Sequence, residues 1–306
     1  MSDPLVVLCP GQGAQKVGMG KAWFEQSPAA KAVFDEADTV LADSLGLPLS
    51  ELCFNDPNGE INNTNISQPA IYTCSIASWH GLRELGLEGD LVATAGLSLG
   101  EYTALHLAGV LSFADGLRLV ATRGQLMQSA AEAQESTMVA VTGDDEAALQ
   151  LCEEAKSEDE ILVAANFNAP GQTVLSGSVA ACERVVSLAS DKGVRATPLS
   201  VAGAFHSPFM SSAADGMREA FAKTQLNAPE IDVWSNVTAT VHDANTIAEC
   251  LIEQITGSVR WAQSCNSMAS MYDGCQWHEL APSSVLRGLM RRVNKDVKVQ
   301  SHDEPN

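Results

Sequence analysis

Positive charge is scarce in this chain. Of 306 residues only 18 are Lys or Arg, against 38 Asp or Glu, for a net charge of −20. Nucleic-acid binding needs clustered basic side chains, so such acidity argues against DNA or RNA as a partner. Long apolar runs are missing too. None approaches the ~18 residues of a membrane span, so no membrane is expected. The start, "MSDPLVVLCPGQG", has no basic segment and only a five-residue apolar run. It does not read as a secretory signal. None of the eight cysteines forms a CxxC pair or stands at ligand spacing from a histidine. Neither disulfides nor a metal is expected. Buried thiols in a reducing compartment fit better, in cytoplasm or plastid stroma. GxGxxG and GK[ST] are both absent, so "PGQGAQKVGMG" after the first strand is not a nucleotide loop. There is no internal repeat and no low-complexity stretch.

What is present reads as an α/β protein. Hydrophobic residues make up 45% of the chain, enough for a large core. "LVVLC" (5–9) predicts a buried strand. "SPAAKAVFDEADTVLADSLG" predicts a helix capped by Ser27, with Pro28 first and Gly46 as its stop. A second helix is predicted over 67–85. "LVATAG" (91–96) predicts a strand and "LGEYTALHLAGVL" (99–111) a helix. Ser112 and Asp115 predict the cap of a helix reaching about residue 134. Residues 135–200 then read strand, helix, strand, strand, helix, strand. This is the ferredoxin-like βαββαβ order, and it predicts a subdomain set between 1–134 and 201–306. "IDVWSN" and "CQWHEL" are later strand candidates.

Ser98 lies in "AGLSLGEY", between Gly96 and Gly100, where a strand ends and a helix begins. That context is a nucleophile elbow, which exposes the hydroxyl and aims helix N–H groups at the reacting carbonyl. GxSxG by itself is weak, arising by chance in roughly one such chain in ten. A tight turn whose serine caps the helix is the plain alternative. Arg123, in "VATRGQLMQ", sits at the edge of an apolar stripe formed by Leu117, Val120, Gly124 and Met127. Such an arginine either covers surface with its stem or holds a carboxylate from a half-buried position. His206, in "VAGAFHSPFM", is the best candidate base among six histidines.

Together, "PGQGAQ", "GLSLGEY", "RGQLMQ", "NFNAPGQ", "AGAFHSPFM" and "SVRW" resemble the malonyl-CoA:acyl carrier protein transacylase family in order and spacing. The resemblance covers nearly the whole chain. It implies an α/β hydrolase-like parallel-sheet domain carrying the inserted ferredoxin-like subdomain. It also implies an acyltransferase of fatty-acid synthesis, without cofactor or metal. Its substrates would be coenzyme A thioesters and its partner acyl carrier protein. A monomeric chain is expected. By resemblance Ser98 is the nucleophile, His206 the base, and the N–H groups of Gln12 and Leu99 the oxyanion hole. Arg123 binds the malonyl carboxylate, and Phe205 goes with malonyl selectivity. Asn166 and Asn168 match positions beside the thioester-bearing arm. The carbonyl that orients the histidine falls at Arg260.

Two departures stand out. Leu97 replaces the family's usual elbow histidine. "GLSLGEYTAL" is similar to plastid members. The usual GPG near the C-terminus is Ala281-Pro282-Ser283. For carrier-protein docking, the densest basic run is "LRGLMRRVNKDVK", with Arg287, Arg291 and Arg292; Lys16, Lys21 and Arg195 are the alternatives. A serine hydrolase or thioesterase would draw its histidine from late in the chain, at His278. A polyketide-pathway acyltransferase would keep the site and change the acceptor. A non-catalytic scaffold would need neither Ser98 nor His206.

Overall fold

The computed structural model describes residues 3–42 and 44–305. Strand β1 (Leu5–Cys9) is followed by helices α1 (Lys21–Gln26), α2 (Pro28–Val40), α3 (Leu49–Phe54) and α4 (Thr64–Glu84). Strand β2 (Leu91–Gly96) leads into α5 (Gly100–Leu107) and α6 (Phe113–Ala133). Next come β3 (Ser136–Thr142), α7 (Asp145–Ala155), β4 (Leu162–Ala169), β5 (Gln172–Ser178), α8 (Val179–Asp191) and β6 (Arg195–Pro198). The last third runs α9 (Ser211–Phe221), β7 (Asp232–Trp234), α10 (Ile247–Thr256), α11 (Trp261–Met271), β8 (Gln276–Leu280), α12 (Val285–Val293) and β9 (Val299–His302).

The main sheet has the order β7-β2-β1-β8-β9 and is parallel throughout. Central β1 is buried at every residue. Helices cover both faces of such a sheet, which is why "LVVLC" is continuously apolar rather than alternating. The loops after β1, β2 and β7 leave the sheet at its carboxyl edge, where ligands of open α/β sheets bind. The second sheet, β4-β5-β3-β6, is antiparallel. Its strand order and βαββαβ sequence are those of a ferredoxin-like fold. α7 and α8 bury Leu151, Val185 and Ala189 against it in a core of their own. The segment between α10 and α11 pairs with β4, where Val259 donates to the Ala165 carbonyl (2.8 Å) and accepts from Phe167 N–H (2.9 Å).

Helix ends differ from expectation in places. The Ser27 hydroxyl does cap α2, accepting from Ala30 N–H. That helix stops at Val40 rather than at Gly46, although Leu41 remains buried. α4 begins at Thr64, three residues before Ser67. α5 ends at Leu107 because Gly109 turns the chain at φ 77°. β6 ends at Pro198, and one further backbone bond to β3 follows it, from Leu199 N–H to the Met138 carbonyl (2.9 Å). The Ser112 hydroxyl accepts from Asp115 N–H at the start of α6, as expected.

Candidate active site

Ser98 sits on a sharp turn between β2 and α5, with φ 52°. A non-glycine residue there is strained and persists only when its surroundings hold it. The flanking glycines are steric necessities. A Cβ on Gly96 would lie 1.8 Å from the Gly100 carbonyl carbon, and one on Gly100 would lie 2.1 Å from the Cys9 oxygen. Asn236, just after β7, braces the turn on both sides. Its Oδ1 accepts from Ser98 N–H (2.7 Å) and its Nδ2 donates to the Gly96 carbonyl (2.7 Å). Gln254 on α10 adds a third brace, donating from Nε2 to the Ser98 carbonyl (3.1 Å).

His206 Nε2 stands 2.9 Å from Ser98 Oγ, and its Nδ1 stands 2.7 Å from the Gln254 carbonyl oxygen. A carbonyl can only accept, so Nδ1 carries the ring proton. The Nε2 lone pair therefore faces the serine, and the Ser98 hydroxyl donates to it. Burial, with the positive charge of Arg123 beside it, pulls His206 down to about 4. The imidazole is neutral near pH 7, the form a base requires.

Arg123 is not at the edge of a face. It is 1% exposed. α6 packs between α4 and α9, so a position bordering its apolar stripe is interior. Nη1 donates to Gln68 Oε1 (2.8 Å), and Nη2 donates to Ser98 Oγ (3.0 Å) and Gln254 Oε1 (3.0 Å). The guanidinium lies over the Tyr102 ring, 5.6 Å from its centroid. Among the described residues no carboxylate pairs with it, and its Nε has no partner.

Ser98, His206 and Arg123 open onto a cavity of about 620 Å³, also lined by Gln12, Asn166, Asn168 and Phe205. The Gln12 loop lies against the elbow, since a Cβ on Gly11 would fall 2.1 Å from the Leu97 oxygen. Gln12 and Leu99 N–H groups donate to nothing among the described residues. Leu99 stands at the N-terminus of α5, where the helix dipole favours negative charge. Ser98 N–H is already taken by Asn236, which leaves the next amide for a developing oxyanion. Asn168 Oδ1 is buried without a partner, a vacancy that a ligand N–H can fill.

One sequence assignment is corrected. The carbonyl that accepts from His206 is that of Gln254, not of Arg260. Arg260 caps α11 instead and donates its N–H to the Asn236 carbonyl (2.8 Å). His278 is also apart from the site, on β8, with Nδ1 2.9 Å from His302 Nε2. The turn that replaces GPG places Ser283 at φ 68°. There its N–H donates to Asp303 (2.7 Å) and its hydroxyl to the Ala14 carbonyl (2.8 Å).

Sequence reasoning missed Gln68, Asn236 and Gln254, polar side chains isolated in apolar or loop contexts. It also missed Glu101, whose buried carboxylate accepts from His242 Nε2 (2.6 Å) and Gln254 Nε2 (2.6 Å). A Glu three residues after the nucleophile could have been noticed inside "GLSLGEY". Among the described residues no group of three or more His, Cys, Asp or Glu side chains could hold a metal ion. None of their helices is long and apolar enough to cross a membrane.

Residues 6–300 match the acyl transferase domain family. The chain is 40% identical to the malonyl CoA-acyl carrier protein transacylase of Bacillus subtilis, over 98% of this chain and 94% of that one. It is 36% identical to the enzyme of the same name from Escherichia coli K12, over 97% and 95%. The malonyl-CoA:acyl carrier protein transacylase structure from Xanthomonas oryzae superposes with a TM-score of 0.92 at 38% identity, covering 99% of this chain and 96% of that one. A malonyl-transacylase solved with a type II PKS acyl-carrier protein superposes at 0.91 with 33% identity, over 99% and 97%. By sequence over nearly its whole length and by that shared fold, the chain belongs to the malonyl-CoA:acyl carrier protein transacylase family of acyltransferases.

Proposed function

We propose that the protein moves a malonyl group from malonyl-CoA to the phosphopantetheine thiol of acyl carrier protein through a malonyl-Ser98 ester. His206 Nε2 takes the hydroxyl proton as Ser98 Oγ bonds to the thioester carbonyl carbon. The oxyanion is received by the N–H groups of Gln12 and Leu99. Collapse breaks the C–S bond, and the imidazolium returns the proton to the departing CoA sulfur. In the second half the carrier thiol gives its proton to His206 and its sulfur attacks the ester. The C–O bond breaks and Ser98 recovers the proton.

The observation that carries this reading is Arg123: a buried guanidinium touching the nucleophile, with no carboxylate among the described residues to pair with. A malonyl carboxylate supplies that missing anion, held as a charge-assisted pair. Phe205 shapes the acyl end of the cavity, and Asn166 and Asn168 face the thioester-bearing arm. The reading extends to a monomer with no cofactor of its own. It places residues 135–200 as one subdomain within 1–134 and 201–306. Eight free cysteines suit a reducing cytoplasm or plastid stroma.

For the carrier protein we favour α12. Arg287 and Arg291 are exposed on it, and Lys295 is exposed just beyond its end. Arg291, Arg292, Lys295, Pro170 and Gly288 line a shallow groove of about 530 Å³. β4 runs from Asn166 and Asn168 toward that groove, so a bound carrier could feed its arm along the strand. Arg292 is engaged otherwise, donating to Gln172 Oε1 (3.0 Å) and to the Pro170 and Gly171 carbonyls.

Intact-protein mass spectrometry tests the reading. Mixing with malonyl-CoA should leave one malonyl adduct on Ser98, and adding phosphopantetheinylated carrier protein should remove it with malonyl-carrier appearing. Loss of the adduct as free malonate, with carrier unmodified, would reject transfer. Fatty-acid and type II polyketide carriers compared in the same assay identify the acceptor.

A further inference from the structure

Beneath the nucleophile lies a buried ion pair that the transfer mechanism does not use. Glu101 is 1% exposed and sits in the first turn of α5. Its Oε1 accepts from His242 Nε2 at 2.6 Å. Its Oε2 accepts from Gln254 Nε2 at 2.6 Å and from Asn236 N–H at 3.2 Å. Both braces of the serine turn, Asn236 and Gln254, therefore rest on one carboxylate.

The pair has a consequence for the guanidinium. A carboxylate only accepts, so the Gln254 amide must present its NH2 group to Glu101. Its Oε1 then points the other way, to Arg123 Nη2 at 3.0 Å. With the amide reversed, NH2 would face the guanidinium, and carbonyl would face carboxylate. Both contacts would be repulsive.

We propose that Glu101 and His242 are positioning residues for acyl selectivity, fixing the Gln254 amide so that Arg123 is held where an acyl carboxylate meets it. His242 supplies the counter-charge. Burial works against its protonation, but Cys250 beside it, the hydrogen bond it donates to Glu101 and the charge of that carboxylate raise it to about 9. The carboxylate thus stays ionised in a site where an unpaired charge would not. The inference rests on the reading of Arg123 as the carboxylate clamp.

The test compares acylation of Ser98 by malonyl-CoA and by acetyl-CoA. Glu101→Met with His242→Met removes both charges together, which a buried site tolerates better than the loss of one. The expected result is a malonyl kcat/KM lowered at least tenfold more than the acetyl kcat/KM. Adding Arg123→Ala to the double variant should lower malonyl acylation no further. Glu101→Gln should restore most of the malonyl preference, because its amide oxygen can still accept from Gln254. A merely structural pair would lower both substrates equally, or multiply with Arg123→Ala, and either result overturns the proposal. Should the double variant not fold, the alternative neutral pair Glu101→Leu with His242→Gln, which also leaves no unpaired charge, is expected to shift the malonyl-to-acetyl ratio at least threefold, and an unchanged ratio overturns it. If Arg123→Ala in the wild-type background fails to discriminate between the two thioesters, the clamp reading fails instead.

Discussion

The guanidinium of Arg123 donates to the hydroxyl of Ser98 across 3.0 Å, from the same nitrogen that meets Gln254. In the proposed mechanism, substrate recognition and nucleophile thus share one hydrogen-bonding centre. Arg123→Ala is expected to lower malonyl transfer by about 1.5–3 kcal/mol or more, the worth of a buried charge-assisted hydrogen bond. Acetyl-CoA offers no carboxylate, so its transfer should fall less or rise. Parallel kcat/KM measurements with both thioesters decide this, and equal losses would remove Arg123 from recognition.

Ser98→Ala should abolish the acyl-enzyme. His206→Ala should slow both half-reactions by about 10²–10⁴-fold, since a single base serves both. Rapid-quench acylation followed by a carrier-protein chase measures the two steps separately. Wild-type acylation in the histidine variant would break the assignment.

The acid limb of the acylation profile should lie low. His206 is held down to about 4, by burial first and by Arg123 second. The base is therefore already neutral at pH 5 to 8, and acylation should be flat there, falling only as pH approaches 4. A limb near the ordinary histidine value of about 6.5 would mean that the imidazole is solvated in the working enzyme.

Stability should respond to pH in two opposite windows. His206 binds its proton less readily folded than unfolded, so stability falls as pH drops from about 6.5 toward about 4. His242 is raised to about 9, so its contribution is complete below about 6.5 and is lost as pH rises through about 9. Denaturant melts of wild type and His242→Gln at pH 6 and pH 9.5 isolate the second effect. The gap between them should narrow at the higher pH, and a constant gap would contradict a charged His242.

Two glycine substitutions should act in opposite directions. A methyl on Gly100 would strike the Cys9 and Pro10 carbonyl oxygens at 2.1 and 2.8 Å. Gly100→Ala is expected to cost about 2–4 kcal/mol and to erase acylation, because the elbow must shift. Gly288, within α12, has nothing within 4 Å of an added Cβ. Gly288→Ala should add about 0.5–1 kcal/mol through helix propensity. Urea midpoints of the two variants provide the measurement.

The fold and the outer parts of the site were legible because they follow from local rules. Continuous apolar runs marked β1 and β2, a Ser-Pro cap marked α2, and two glycines flanked the one serine on a bend. What stayed hidden depends on tertiary placement. Arg123 looked peripheral on its own helix and became interior only when Gln68 of α4, Tyr102 of α5 and Gln254 of α10 enclosed its guanidinium. The carbonyl that orients His206 belongs to Gln254, and a backbone group leaves no mark in a sequence; alignment to "SVRW" put it at Arg260 instead. The Glu101–His242 pair joins residues 141 apart, and neither has a neighbour that announces the other.

Docking of the carrier protein poses an electrostatic conflict. Carrier proteins are generally acidic, and this chain carries −20. At physiological salt, charges beyond about 8 Å are largely screened, so the local patch on α12 outweighs the distant total. Arg287 and Arg291 stand four apart on that helix and share a face. Both are exposed, and neither makes a salt bridge within 4.0 Å among the described residues. Arg292 is a poorer probe, because its bonds to the 170–172 turn would be broken as well. Arg287→Glu with Arg291→Glu should therefore raise KM for the carrier protein and flatten its salt dependence, since rim charges act mainly on association. Acylation of Ser98 by malonyl-CoA should stay near wild type. The experiment is KM for carrier protein at low and high salt, in both proteins. An unchanged KM with an unchanged salt slope would move the docking face to Lys21 or Arg195, which are exposed, or to Lys16, which is paired with Asp303.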